Sequence, residues 1–439
     1  MKSKRIIKRL LNITGIVAII MGCLFFSYKA FLDPYRGTIK KAQISKDLHT
    51  ILSKEEAFQD LNYIKEKLEE RHPACVDGLP KEVKVQFEQE IAKITGEVTV
   101  LHLWQASARI LAKLKDAHTG ISFYANDPRR LPLTFTMTDG ELYLTDKEYT
   151  ATHVLSINDI PVQKLHQTFL EQFSYELESY ATYLFTRNLR RREYLEFVGV
   201  DTSSAIQFNF QEGSSLTKKN FAFDIPVQEV ASTEVPFVSY HIDKNKKLGV
   251  ITLRSCSIND YYRNTVKEFF QTVKDNNLQN VAIDLRNNGG GNSRVINEFM
   301  KYIDVDAYSI SGGIDVRYGP FLYKFKKQEI KNKKNENLLF SGNVYALTST
   351  DTFSSAQMFA LTLLDNDIGT IIGEIPGNMP ACYGDILAFQ TPNAKLVFTV
   401  SYKYFRRIDG SKAELPLIPH YEVKAKEAMD KLYAVIEAE

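Results

Sequence analysis

The sequence is poor in the features that mark several protein classes. Its 439 residues include only four cysteines, and they stand singly, without CxxC or Cys/His spacing. We therefore predict no metal site and no disulfide scaffold, with at least one thiol unpaired. The formal net charge is only +2, which excludes the basic surface expected of a nucleic-acid-binding protein. Low-complexity tracts and internal repeats are absent, so the composition is that of a folded chain.

One long apolar run is present, at the N-terminus. Five of the first nine residues are Lys or Arg, and residues 10–28 then run for 19 positions without a charge. That length crosses a hydrocarbon layer of about 30 Å, and the basic flank places the N-terminal end in the cytoplasm. We predict a single-pass anchor in the cell membrane with the rest of the chain outside the cytoplasm. A cleaved signal peptide and a lipidated Cys23 remain as alternatives.

Hydrophobic periodicity divides the rest of the chain into predicted structural regions. Residues 55–114 repeat apolar positions at three- and four-residue steps, which predicts helices, whereas residues 132–144 alternate around Asp139-Gly140, a hairpin signal. From about residue 247, apolar strand-like runs alternate with helical stretches, as in an α/β core. The predicted divisions are as follows: 1–32 basic stub and anchor, 33–50 linker, 51–126 helical domain, 127–235 β-rich module with a helical insertion, 236–425 α/β core and 426–439 C-terminal helix.

A glycine-rich turn is the first candidate site. Residues 284–292, DLRNNGGGN, follow an apolar strand and precede a helical stretch. Consecutive glycines allow backbone N–H groups to point into one concavity that binds an anion or oxyanion. The segment lacks the lysine of a phosphate loop and the spacing of a dinucleotide fingerprint. The alternative is a tight turn without chemistry, with Asp284 and Arg286 bracing it as an ion pair.

A serine and a histidine complete the set of candidate residues. Ser354 lies where a strand gives way to a helix, so the helix dipole and the N–H of Ser355 favour a developing negative charge there. The alternative is an ordinary helix cap. His118, two residues after Asp116, is a candidate general base, although seven of the eight histidines in the chain compete with it for that role.

Taken together and in order, these segments resemble the C-terminal-processing, or tail-specific, serine peptidase family. The resemblance covers about residues 55–425 and rests on several segments. They are RHP at 71–73, KDAHT at 115–119, the PDZ-like VLSINDIPV at 154–162, DLRNNGGG at 284–291, TFSSAQMFA at 352–360, IGEIPG at 372–377, YGD at 383–385 and ELPLIP at 414–419.

The resemblance implies a crotonase/protease-type α/β core, a helical N-terminal domain and a PDZ-like middle module. One branch of the family uses a Ser/Lys dyad, but the position of that lysine corresponds here to the pair Gly377-Asn378. The sequence is more similar to the branch of tricorn protease. That branch implies Ser354 as nucleophile, His118 as base and Glu414 as the third member, with Gly290 or Gly291 and Ser355 forming the oxyanion hole. Asp116 would support the histidine.

Two functions follow from this resemblance. The first is a membrane-anchored, extracytoplasmic serine endopeptidase acting on peptides or unfolded protein tails, with no cofactor. The second is a catalytically silent relative that binds peptides or hydrophobic ligands. A cytosolic hydrolase would require that the N-terminal run not lie in a membrane. The sequence leaves the oligomeric state open.

Overall fold

A computed structural model describes residues 2–145, 152–213, 215–225 and 236–438. The chain begins with helix α1 (Lys2–Ser27), which continues into a π-helical turn at Tyr28–Leu32. Within it, Ile13–Leu32 is 20 residues long with a mean hydropathy of 1.9 and no part buried. By length and composition this helix can cross a membrane.

Three helices form the N-terminal region, as the periodicity predicted. Ser53 starts the first with a capping box, in which its side chain accepts the Glu56 N–H while the Glu56 carboxylate accepts the Ser53 N–H. Thr99 caps the third. The elements here are β1 (Ile51–Leu52), α2 (Lys54–Arg71), α3 (Lys81–Lys93), β2 (Val98–Thr99), α4 (Val100–Ala112) and β3 (Gly120–Ser122).

A β-rich module follows. The predicted hairpin is confirmed: its two strands pair around Asp139 and Gly140, which both have positive φ. The strands run in the order β4-β5-β6-β8-β9, with β7 paired to β6. The elements are β4 (Phe135–Thr138), β5 (Glu141–Leu144), β6 (His153–Ile157), β7 (Ile160–Pro161), α5 (Val162–Gln172), α6 (Glu178–Asn188), α7 (Arg192–Phe197), β8 (Ile206–Glu212) and β9 (Ser215–Phe221).

The α/β core is built on a sheet in the order β10-β11-β12-β17-β18-β21, parallel except for β10. Parallel strands need crossover connections, which helices supply here. The elements of this sheet and its connections are β10 (Val238–Asp243), β11 (Leu248–Leu253), α8 (Asp260–Asp275), β12 (Asn280–Asp284), α9 (Arg294–Met300), β13 (Ala307–Tyr308), β16 (Ile330–Lys331), β17 (Asn343–Thr348), α10 (Ser355–Asp365), β18 (Thr370–Gly373), β21 (Tyr421–Glu422) and α11 (Ala428–Ala438).

A second, antiparallel sheet joins the core to the N-terminal region. Its order is β15-β14-β20-β19, with β3 also paired to β20. Through β3, the segment that carries His118 is therefore hydrogen-bonded to β20, where Ser122 pairs with Val397 and Gly120 pairs with Thr399. The strands are β14 (Gly313–Tyr318), β15 (Phe321–Lys326), β19 (Cys382–Gln390) and β20 (Val397–Phe405).

Packing differs from the predicted divisions in two places. The helical region and the β-rich module share one hydrophobic core, which includes Trp104 and Phe208. Residues 33–50, expected to be a linker, are held on the antiparallel sheet, where the Ile39 N–H donates to the Ala388 carbonyl over 2.9 Å and the Lys46 N–H to the Ala394 carbonyl over 3.0 Å. The expected boundary at 235–236 adjoins residues 226–235, which lie outside the described part of the chain, as do Met1 and Glu439. All four cysteines are free.

Candidate active site

The glycine turn lies directly after β12, at the carboxyl end of the parallel sheet. Asn288 is fully buried and organises it: its side-chain amide donates to the Leu253 carbonyl over 2.8 Å, and its oxygen accepts the Gly290 N–H over 2.9 Å. Gly290 has φ +97°, and a Cβ there would lie 2.8 Å from the Cβ of Ser354. Only glycine therefore lets the turn approach this serine so closely.

Asp284 and Arg286 brace this turn. The guanidinium donates Nε to one carboxylate oxygen over 2.8 Å and Nη2 to the other over 2.7 Å, while Nη1 reaches the Ala425 carbonyl over 2.7 Å. A bidentate pair of this kind fixes geometry as well as charge. Hydrogen bonding to Asp284 raises the pKa of the Arg286 guanidinium above its usual value.

Ser354 occupies the N-cap position of α10 with an unusual backbone, φ +55° and ψ −123°. A non-glycine residue in this region stores strain of about 1–3 kcal/mol, and such residues cluster at functional sites. Its side chain makes no capping hydrogen bond. The ordinary-cap alternative therefore does not describe this hydroxyl, which is left free of the helix end.

The glycine turn and the start of α10 supply the candidate backbone donors for an oxyanion. The Gly290 N–H is occupied by Asn288, which corrects the expectation that it is free for an oxyanion. The N–H groups of Gly291 and Ser355 have no protein acceptor among the described residues. The Ser355 hydroxyl donates to the Gly291 carbonyl over 2.8 Å and so ties the two segments together.

Asn378 fixes the strained serine from the other side. This residue is 1% exposed, and its Oδ1 accepts the Ser354 N–H over 2.7 Å. Its Nδ2 donates to the Met379 carbonyl over 2.9 Å. The position that a Ser/Lys dyad would fill with lysine therefore holds a neutral amide that orients the Ser354 backbone.

His118 contacts Phe353, the residue that precedes Ser354. Its ring packs on Phe353, with ring centroids 4.6 Å apart. In the described part of the chain no hydrogen bond joins the His118 imidazole to the Ser354 hydroxyl, and Nδ1 is buried without a partner. Burial lowers the pKa of His118, against the opposing charges of Asp116 and Asp385. A neutral imidazole is the form that accepts a proton.

Asp116 is held in place by contacts with His118 and His72. It is fully buried, accepts the His118 backbone N–H over 2.8 Å and lies 3.2 Å from His72 Nε2. Because His72 Nδ1 accepts the Ala74 N–H, its Nε2 carries the proton donated to Asp116. Burial alone would raise the pKa of Asp116, but the His72 hydrogen bond and charge lower it to about 2. The RHP motif thus contributes a buried partner for the aspartate.

Glu176 is a site residue that sequence reasoning missed. Its carboxylate accepts the Met379 N–H over 2.7 Å and the Ala117 N–H over 3.3 Å. Donor atoms of Asp116, His118 and Glu176 lie within 4.8 Å of one another. Burial, with the nearby Asp116 charge, raises the pKa of Glu176 to about 8. These three residues could hold a metal, but the Asp116 oxygens are already engaged by His72 and the His118 backbone.

Glu414 lies further out. It is exposed and lines the wall of a cavity of about 870 Å³ together with Glu176, Tyr383 and Tyr404. No hydrogen bond or ion pair joins it to His118 or to the Ser355 hydroxyl among the described residues. The structure therefore brings together Ser354, Ser355, Gly290, Gly291, His118 and Asp116, and places Glu414 in the wall of the cavity that Glu176 also lines.

The helical insertion of the β-rich module also contributes to the site. Besides Glu176, it supplies Tyr180, whose ring stacks on Phe353 with centroids 4.6 Å apart. Phe353 thus contacts both His118 and Tyr180. Arginines of the insertion form ion pairs within the chain, such as Arg191 with Glu193 and Arg192 with Glu196.

Comparisons with known proteins agree with this fold. Residues 247–423 match the model of Peptidase family S41. The fold is similar to mature CPAF, with a TM-score of 0.63 and 13% identity over 88% of this chain and 96% of that one. It also resembles a putative peptidase from Parabacteroides merdae, with a TM-score of 0.50 and 11% identity over 88% and 97% of the two chains. No curated protein sequence matches.

The matched segment contains the glycine turn, Ser354 and Asn378, which are the parts of the site that lie on the parallel sheet. The structural likenesses independently support the same α/β architecture for the greater part of the chain. The match of residues 247–423 to Peptidase family S41 therefore indicates serine-type peptidase chemistry for the core of this chain.

Proposed function

We propose that this protein is a membrane-anchored, extracytoplasmic endopeptidase that cleaves peptides or unfolded protein tails through an acyl-enzyme on Ser354. The observation that carries the proposal is a strained, uncapped serine that packs against the glycine turn and follows Phe353, whose ring lies on His118. The N–H groups of Gly291 and Ser355 have no acceptor among the described residues. A serine with a purely structural role would not require this combination of features. Serine acyl transfer requires all three parts: a nucleophile, a base and preorganised donors.

The proposed first step begins with His118. Its imidazole takes the proton of the Ser354 hydroxyl as Oγ attacks the scissile carbonyl, and then gives that proton to the leaving amine. Water repeats the sequence to release the acyl group. A small approach of His118 to Ser354 is part of this step, since catalytic hydrogen bonds are often long in unliganded enzymes and tighten with substrate.

The oxyanion hole is proposed to consist of the N–H groups of Gly291 and Ser355. Gly290 is left out as a donor because its N–H already serves Asn288; its role is to permit the close approach. A preorganised donor of this kind contributes roughly 2.7–4 kcal/mol to transition-state stabilisation. The hydrogen bond from the Ser355 hydroxyl to the Gly291 carbonyl fixes the positions of the two donors relative to each other.

For the third member, geometry and family motif point to different residues. The resemblance nominates Glu414, whereas the contacts favour Asp116, 3.9 Å from His118 Nδ1, with Glu176 beside it. We propose that Asp116 holds the imidazole and stabilises its protonated form. Parallel kinetics of Asp116→Asn and Glu414→Gln decide between these two carboxylates, because loss of the true partner lowers kcat while loss of the other leaves it unchanged.

Anchoring is the other part of the proposal. The apolar helix Ile13–Leu32 and the basic residues before it support a single pass with the catalytic region outside the cytoplasm. The same proposal includes a role for the β-rich module, which would add a substrate strand to its sheet as a PDZ module does. The silent peptide-binding alternative predicts binding without cleavage.

Hydrolysis by matched serine variants tests the proposal. The full chain, in detergent, is given an unfolded protein substrate, and new amino termini are counted. Ser354→Ala is expected to lower the rate by roughly a thousandfold or more. Ser293→Ala is the control, because Ser293 is likewise an N-cap serine without a capping hydrogen bond, on α9. Equal rates for the two variants would refute Ser354 as nucleophile.

A further inference from the structure

A row of exposed aromatic side chains follows strand β15. Phe321, Tyr323 and Phe325 are 53%, 53% and 47% exposed, and their two-residue spacing places them on one face. The rings of Phe321 and Tyr323 lie 6.4 Å apart. We call these three residues the aromatic ridge. Contiguous exposed apolar surface of this kind marks an interaction site more often than free solvent surface.

The strand that bears the ridge is the outermost of its sheet. Within the described residues β15 pairs with β14 alone, and the order continues to β20 and β19. Lys324 and Lys326 alternate with the aromatic residues, and neither forms an ion pair with another described residue. Lys327 follows them and is also exposed. Because successive side chains of a strand point to opposite faces, Lys324 and Lys326 give the face opposite the ridge a positive charge that the described part of the chain leaves unneutralised.

The turn that leads into β15 touches the end of the apolar helix. Gly319 has φ +55°, and a Cβ placed there would lie 2.5 Å from the Phe31 carbonyl oxygen and 3.5 Å from Leu32. Phe31 and Leu32 are the last two residues of Ile13–Leu32. The ridge thus begins two residues after a turn that contacts the outer end of the candidate membrane span.

The connection after the span is short and held in place. Tyr35 and Tyr402 are joined through their hydroxyls over 3.1 Å, and the Ile39 N–H binds the Ala388 carbonyl. Arg71 also donates to the Arg36 carbonyl over 3.2 Å. Because these contacts fix the helix end against the antiparallel sheet, a bilayer that surrounds the helix lies beside the β14–β15 turn.

From this placement we propose that the aromatic ridge inserts into the interfacial layer of the same bilayer that the N-terminal helix crosses, with the charge of Lys324 and Lys326 on the opposite face attracting the strand to an anionic leaflet. The inference rests on the proposed membrane anchorage, not on the proposed chemistry. Aromatic rings are enriched at the membrane–water interface, and basic residues near an anionic leaflet are attracted to it. An added peptide strand would use the backbone edge of β15 but would not explain the adjoining helix end.

Lipid quenching of tryptophan fluorescence tests this inference on the full chain in vesicles. Trp104 is the only native tryptophan and is fully buried, so the wild type supplies the background. Tyr323→Trp is compared with Tyr261→Trp, which lies on α8 beside the other sheet and has a similar exposure of 51%. Vesicles contain phosphatidylcholine and phosphatidylglycerol, with or without brominated acyl chains.

The expected result is quenching of Trp at position 323 that exceeds that at position 261 by about twofold or more. Adding Lys324→Glu and Lys326→Glu to the Tyr323→Trp variant should reduce this quenching in vesicles with phosphatidylglycerol. Equal quenching at the two positions, in protein that stays with the vesicles after a carbonate wash, overturns the ridge proposal. A signal that responds to added peptide and not to lipid overturns it too. Protein lost in the wash overturns the anchorage and the ridge together, while peptide hydrolysis by the same samples reports separately on the chemistry.

Discussion

Asn378 accepts the backbone N–H of Ser354 over 2.7 Å and so holds the serine in its left-handed conformation. The amide is itself fixed by its donation to the Met379 carbonyl and by near-complete burial. The strain at Ser354 is therefore offset by a hydrogen bond that only the folded chain supplies. Orientation of the nucleophile depends on a residue that performs no proton transfer.

Asn378→Ala is expected to lower kcat by about 100-fold with little change in KM, because small displacements of a reacting group cost about this much. Steady-state kinetics on a chromogenic peptide give both constants. Asn332→Ala is the control: Asn332 is also buried and donates to three carbonyls, including Met300, but lies away from the site. It should lower stability by about 1–3 kcal/mol and leave kcat unchanged. A kcat for Asn378→Ala close to that of Asn332→Ala would contradict the positioning role.

Adjacent glycines of the turn should respond differently to alanine. At Gly290 the new Cβ would lie 2.8 Å from the Phe353 carbonyl oxygen, at φ +97°, whereas at Gly289 nothing lies within 4 Å. Gly290→Ala should therefore abolish hydrolysis and destabilise the fold by about 1–3 kcal/mol. Gly289→Ala should retain both activity and melting temperature. If both variants hydrolyse peptide at the wild-type rate, the close packing of turn and nucleophile has no catalytic role.

The acid side of the pH–rate profile should reflect His118. Burial lowers its pKa below the ordinary value of 6.5, so the imidazole stays neutral and able to accept a proton in mildly acid solution. We expect the midpoint of the acid limb of kcat/KM to lie below pH 6.5. The measurement is kcat/KM against pH on an uncharged peptide. A midpoint above pH 6.5 would show that the base is not this buried histidine.

Glu176 should make stability depend on pH in a defined direction. Its pKa is raised from 4.5 to about 8 in the folded protein, so the folded state holds a proton that the unfolded chain releases. Its contribution is most favourable below pH 4.5 and is lost as pH rises from there to about 8. Glu176→Gln, which mimics the protonated form, should therefore raise the melting temperature at pH 8 and have little effect at pH 4. The same shift at both pH values would exclude a buried, protonated glutamate.

Much of the framework could be predicted from local sequence, because local chemistry determines it. Asp139-Gly140 supplies the two positive φ values of a hairpin turn, and the apolar runs after residue 247 form buried parallel strands. The glycine run at 289–291 likewise forms the close turn that its composition indicates. At these positions backbone preference and hydrophobic pattern act over only a few residues.

The missed features depend on contacts between distant segments. Glu176 and Asn378 carry no local signal, because their roles come from N–H groups 203 and 24 residues away. The polar, Lys-rich segment 33–50 looks like a tether in composition, yet its backbone hydrogen bonds to the sheet are independent of side-chain type. Glu414 was expected from the family motif alone and stays a prediction; it is exposed and lines the same cavity as Glu176.

The most direct measurement is labelling of the full chain with a fluorophosphonate, followed by mass spectrometry of the modified peptide. The reagent forms a stable adduct only with a serine that is activated as a nucleophile. We predict a single adduct on Ser354 that is lost in His118→Ala and kept in Ser293→Ala. Folded protein that takes up no label, or a label on another serine, would contradict the account.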